Sequence, residues 1–211
     1  TACTTTKVEE KKDVVVAPPP PPKLPSAKEN FDKGVAAFDS GNLDEANTLF
    51  TKVADKVPAS MVTQYNLGVI AERQGRLTDA QTRYEAAHKI DPKHKPTLLN
   101  LGRVYRLQDK FAEAIALYEE ALKDNEFDVE LNNNLTVAYR LAKNYAKAEE
   151  TARRVLSRTK DNPDAYKNLA LIYFDQGNLP LAQFISINAK KLDEKDPGVY
   201  NNLGLIYLQQ Q

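Results

Sequence analysis

A period of 34 residues runs through this chain from Ala27 onward, and few architectures are compatible with so regular a repeat. Counting each unit from Ala27, position 8 holds Gly34, Gly68, Gly102, Thr136, Ala170 and Gly204, and position 20 holds Ala46, Ala80, Ala114, Ala148 and Ala182. Position 7 reads Lys33, Leu67, Leu101, Leu135, Leu169 and Leu203, and position 11 reads Ala37, Ala71, Tyr105, Tyr139, Tyr173 and Tyr207. Within each unit the apolar residues recur at three- and four-residue spacing in two runs, the pattern of two amphipathic helices. The runs are parted at Gly41, Gly75, Asp109, Asn144 and Gly177. The units are parted at Pro58, Pro92, Pro163 and Pro197, since proline cannot continue a helix interior. Small residues at positions 8 and 20 let the two helices of a unit approach closely. The expectation is an all-α solenoid of antiparallel helix pairs over 27–211, with units at 27–60, 61–94, 95–128, 129–162 and 163–196 and the first helix of a sixth at 197–211.

Leu101-Gly102-Arg103-Val104-Tyr105 and Ala114-Ile115-Ala116-Leu117-Tyr118-Glu119-Glu120-Ala121 resemble the first- and second-helix signatures of the tetratricopeptide repeat family, and the resemblance extends over about seven-eighths of the chain. It implies a right-handed superhelical array with no catalytic chemistry of its own. Lys33 and Ala37 depart from the family pattern and suggest a capping variant in the first unit. Ala152 and Ser186 stand where an aromatic side chain is expected at position 24, which predicts looser packing in the fourth and fifth units. The sixth unit offers no second helix to cover Leu203 and Tyr207. Solenoids need polar end caps, so either that helix caps the array alone or the natural protein continues, and continuation is the expectation.

The resemblance also implies a concave wall lined by the first helix of each unit, mainly through positions 2, 5, 6, 9, 12 and 13. Position 6 is Asp32 and then Asn66, Asn100, Asn134, Asn168 and Asn202, one carboxamide per unit. Each carboxamide offers both a donor and an acceptor, so such a ladder can pair with the backbone of an extended peptide whatever its side chains. Asparagine is also the family's commonest residue there, so inheritance without peptide binding stays open. Arg73, Arg106 and Arg140 at positions 12 and 13, with Arg103 at position 9, place a basic stretch on the same wall over units two to four, suited to an acidic peptide. The alternative is a solvated charged face. The carboxylate clamp of chaperone-binding relatives is not satisfied, because position 9 holds Val35, Val69 and Leu171 in place of asparagine. Phe31, Phe38 and Phe174 also fall on first helices, as partner pockets or as core.

Residues 1–26 read as a disordered tether. They lack hydrophobic periodicity and include five consecutive prolines, Pro18 to Pro22, which favour a polyproline rod about 15 Å long. Thr1-Ala2-Cys3 is similar to the end of a bacterial lipobox, in which the cysteine becomes the lipidated first residue. Thr4 in place of aspartate implies sorting to the outer membrane, with acyl chains contributing about 0.8 kcal/mol per buried CH₂. A stray thiol is the plainer alternative.

The remaining composition narrows the functional class. The 29 basic and 29 acidic residues cancel, so no net field draws the chain to nucleic acid. Cys3 is the one cysteine, and His88 and His94 sit in no constellation that makes a nucleophile or a metal site. No cofactor and no small-molecule substrate are expected. The resemblance extends to lipoproteins of envelope-spanning gliding-motility complexes and to the pilotins of type IV pilus secretins. The leading expectation is a periplasmic scaffold, lipid-anchored to the outer membrane, that binds a peptide segment of a gliding complex. A pilotin and the docking part of a larger enzyme are the rivals.

Overall fold

The computed structural model describes residues 25–210, so Cys3 and the polyproline run lie outside the described residues. Eleven helices follow one another, with no strand among the described residues: α1 (Ala27–Asp39), α2 (Leu43–Lys56), α3 (Met61–Arg73), α4 (Leu77–Ile90), α5 (Lys95–Leu107), α6 (Phe111–Leu122), α7 (Val129–Leu141), α8 (Tyr145–Arg158), α9 (Pro163–Asp175), α10 (Leu179–Leu192) and α11 (Pro197–Gln209). Their starts are set by short polar side chains. Ser26, Asn42, Ser60, Asp128, Asn144, Asn162, Asn178 and Asp196 each accept a backbone N–H of the first turn, each cap contributing on the order of 1 kcal/mol. Ser26 forms a full capping box with Glu29.

The turn inside each pair needs one residue in the left-handed region. Glycine supplies it at Gly41, Gly75 and Gly177, but Asp109 (φ 57°) and Lys143 (φ 59°) adopt it with a β-carbon. The fourth pair therefore turns at Lys143, one residue before the Asn144 expected from sequence, and Asn144 instead caps α8.

Odd-numbered helices are the first helices of each pair and even-numbered ones the second. Each helix packs on its chain neighbours, and in addition α5 touches α7, α7 touches α9 and α9 touches α11, whereas no comparable contact joins one second helix to the next. The first helices are thus the more crowded layer, so the stack curves with them on the inside and the second helices on the outside.

The column of small residues at position 8 works as one half of a lock. In the first three pairs an aromatic ring of the second helix lies over the glycine: Phe50 over Gly34, Tyr84 over Gly68 and Tyr118 over Gly102, all three rings fully buried. Burying each ring contributes about 2–3 kcal/mol. In the fourth and fifth pairs the volumes are exchanged, with Thr136 facing the column of Ala152 and Ala170 that of Ser186, and all four residues are sealed from solvent. The looser packing expected there does not show as solvent exposure at these positions, although the Ser186 hydroxyl is buried without a partner. Leu203, expected to be uncovered, is 8 % exposed against Ala189, Val199 and Tyr166, while Tyr207 is half exposed. Phe31 packs edge-on against Phe50 at 5.4 Å between ring centres, and Phe38 and Phe174 flank the core, so none of the three opens a pocket.

Candidate protein-binding trough

The concave layer collects the side chains singled out from the repeat. From α3 to α11 the asparagine of each first helix is tied to its surroundings in a different way. Asn66 is half-buried and has no hydrogen-bond partner among the described residues. Asn100 donates to the Tyr65 hydroxyl at 3.2 Å and accepts from Arg103 at 3.1 Å. Asn134 donates to the Glu130 carbonyl in its own helix at 2.9 Å and accepts from Arg106 at 3.2 Å. Asn168 and Asn202 each donate to a backbone carbonyl one unit earlier, Asn133 at 3.4 Å and Lys167 at 3.2 Å, and Asn202 is 6 % exposed. Four rungs of the ladder, those of Asn100, Asn134, Asn168 and Asn202, therefore staple adjacent first helices. What they leave open toward the trough is chiefly acceptor capacity on the carboxamide oxygens of Asn168 and Asn202 and the whole of Asn66.

The four arginines divide just as unevenly. Arg103 is neutralised by Glu72 at 3.0 Å, a carboxylate that also accepts from the Tyr84 hydroxyl at 3.0 Å. Burial, followed by the nearby Glu72 charge, holds that hydroxyl well above the ordinary tyrosine range. Arg140 pairs with Asp175 at 2.7 Å across to α9. Arg73 is exposed, its guanidinium 4.3 Å from the centre of the Phe38 ring. Arg106 sits deeper, with one hydrogen bond, to Asn134, and no carboxylate partner among the described residues. Burial lowers its pKa and the guanidinium charges of Arg103 and Arg140 add to that, against an opposing influence of the Tyr118 hydroxyl. Arg103, Arg106 and Arg140 are thus brought within mutual electrostatic reach, and Arg73 stands apart from them.

Beyond Asn134 the trough opens into a depression of about 310 Å³ lined by Asn133, Asn134, Val137, Asn168, Leu171 and Asn202, among others. Val137 and Leu171 belong to the position 9 column, one helical turn from the asparagines. Sequence reasoning passed over that column as a source of apolar floor. It also passed over Lys167, which pairs with Asp164 at 2.7 Å and with Asp196, closing the α9–α11 junction.

A larger depression, about 450 Å³, lies on the outer side between α6 and α8. Its charged lining is self-neutralised: Lys147 faces Glu119 at 3.8 Å and Arg154 pairs with Glu150 at 3.3 Å. A wedge between second helices follows from the curvature alone, so size does not favour it over the inner wall.

Two family models, both describing a tetratricopeptide repeat, match the chain, one at residues 59–126 and the other at 99–163 and 142–186. Together they span more than half of it. Among solved structures, a tetratricopeptide repeat protein from Parabacteroides merdae is 23% identical with a TM-score of 0.79, over 87% of this chain and 73% of that one. MamA from Desulfovibrio magneticus RS-1 is 16% identical with a TM-score of 0.71, over 81% and 97%. YrrB, a tetratricopeptide repeat protein with an unusual peptide-binding site, is 15% identical with a TM-score of 0.68, over 83% and 91%. These likenesses share the all-helical solenoid. No curated protein matches the chain.

Proposed function

The chain belongs to the tetratricopeptide repeat family, and from that premise we propose that it is an interaction scaffold whose trough holds a segment of a partner protein in a bacterial envelope complex. The observation that carries the reading is the continuity of the inner wall. From α3 to α11 the first helices present carboxamides, an apolar strip and a partly neutralised arginine cluster along one surface, and that surface is large relative to any single side chain it would bind. YrrB, which shares the fold, has a peptide-binding site by its description, and an extended peptide is the ligand such a wall suits. Backbone pairing gives affinity and side-chain pockets give selectivity.

The envelope assignment rests on sequence. Lipidation at Cys3 would anchor the chain to the periplasmic face of the outer membrane, and the Pro-rich stretch from Pro18 would hold the array off the lipid surface. A scaffold in an envelope-spanning gliding-motility complex fits that layout, with the membrane contacted through lipid alone. Crosslinking in intact envelopes followed by pull-down of the chain tests it. Recovery of motility-complex components supports the reading. Recovery of a secretin in their place would make the protein a pilotin, and finding the chain only in soluble fractions would refute the anchor.

A further inference from the structure

Arg106 carries a charge that the fold does not use. A guanidinium drawn out of water loses hydration, and that loss is offset only by a carboxylate with good geometry and by filling its remaining donors. Arg103 and Arg140 each have the carboxylate, in Glu72 and Asp175, although the Nε of Arg140 is buried without an acceptor. Arg106 lies between them, half-buried and with a single neutral partner in Asn134, and its buried Nε has no acceptor. Burial disfavours the ion it must be and the like charges of Arg103 and Arg140 add to that, with the Tyr118 hydroxyl acting in the opposite direction. An uncompensated cation on a binding wall is stabilised when a ligand brings the missing anion.

The surroundings say more about that ligand. Asn134 joins Arg106 directly to the depression floored by Val137 and Leu171. Asn168 and Asn202, which also line it, donate within the fold and keep acceptor capacity on their carboxamide oxygens, groups a peptide N–H satisfies. The lysine at that end, Lys167, is already held by two aspartates, so a second anion there gains little. One end of this stretch thus lacks a carboxylate, and the other offers aliphatic surface and unfilled acceptors.

We propose that this part of the trough reads an extended protein segment in two parts, an acidic side chain paired with Arg106 and an aliphatic side chain seated on Val137 and Leu171. Packed helices stand about 8–10 Å apart and an extended residue advances about 3.3 Å. The two recognised side chains are therefore about three residues apart if they address adjacent units and about six if they address alternate ones. This inference rests on the trough being the partner-binding face and adds to it which chemistry the face selects.

Selection of random displayed peptides of about 12 residues on the full chain tests it. The expected winners carry Asp or Glu with Leu, Ile or Val about three to six residues away. Their affinity falls at least tenfold in Arg106→Gln and several-fold in Leu171→Ser. Arg106→Leu keeps or raises the melting temperature while binding is lost, a combination that a structural role for the charge would not give. Winners that need no acidic residue, or that bind Arg106→Gln as tightly as the parent, overturn the two-part recognition and leave the trough as the binding face. If no peptide is enriched from the library, both readings fall.

Discussion

One substitution, made at equivalent positions of different repeats, is expected to change stability in opposite directions. Gly204→Ala places a methyl group where nothing lies within 4 Å, and replacing an interior helical glycine by alanine is worth about 1 kcal/mol in favour of folding. At Gly34 the new β-carbon would stand 3.1 Å from Phe50, tight enough to cancel most of that gain. At Gly68 it would stand 2.6 Å from the Tyr84 ring, and at Gly102 it would land on the Tyr118 ring and hydroxyl, closer still. Tyr118 is fully buried and cannot swing aside, so Gly102→Ala incurs an overpacking penalty at the upper end of about 1–3 kcal/mol. It also strains the Tyr118 hydroxyl's 3.4 Å hydrogen bond to the Leu99 carbonyl. The net effect is a loss of about 2 kcal/mol. For a chain of this length 1 kcal/mol moves the melting temperature by about 2–4 °C. Gly204→Ala should therefore melt about 2–4 °C above the parent, Gly34→Ala near it, and Gly102→Ala about 4–8 °C below, followed by circular dichroism at 222 nm. The double variant Gly102→Ala with Tyr118→Ser copies the Ala170 and Ser186 pairing and should melt above the sum of its single effects. Equal melting temperatures for Gly102→Ala and Gly204→Ala would refute the account of position 8.

Other expectations follow from the same structure. Replacing Asn100, Asn134 and Asn168 together by Ala should weaken partner binding while helicity stays close to that of the parent, because the bonds lost are side-chain ones outside the helical backbone ladder and alanine favours the helix; unchanged affinity would leave the ladder a purely structural feature. Reversing Arg103 and Arg106 to Glu should abolish the salt-dependent part of binding, and a salt profile identical to the parent's would return both to the solvated surface. Hydrogen bonding from Lys167 holds the Asp196 carboxyl below the usual range, so its stabilisation is complete above the unfolded-state pKa of about 3.9 and is lost as pH falls through the lower native value. Hydrogen exchange at the α9–α11 junction should accelerate below about pH 4, and Asp196→Asn should remove that dependence. Metabolic fatty-acid labelling should mark the parent chain and leave Cys3→Ser unmarked.

The helices were legible in sequence because a repeat presents the same apolar pattern several times over, and caps such as Asp128 and Asn162 reinforce each start. What escaped the sequence are couplings between columns. Read alone, Ala152 and Ser186 look like lost aromatic rings that would open the pairs; only the structure shows both positions sealed from solvent, each with a residue larger than glycine at position 8 of its unit. The turn at Lys143 was assigned to its neighbour because a left-handed lysine carries no signal of its own beside Asn144. In the trough, the wall-facing arginines were identifiable from the repeat register. Which of them keeps a free charge was not, because their carboxylate partners, Glu72 and Asp175, lie on neighbouring first helices, 31 and 35 residues away along the chain. The same holds for the asparagines: their column was plain, and their use as staples to the preceding unit depends on how closely the inner helices stack.

The central claim is that partners bind the inner layer of first helices. A photo-crosslinking amino acid placed at Leu171, on the floor of the trough, and separately at Ala116, exposed on the outer helix α6, tests it in intact cells. Adducts to a partner protein from position 171 with only background from position 116 are the predicted result. Adducts from 116 with none from 171 would contradict it.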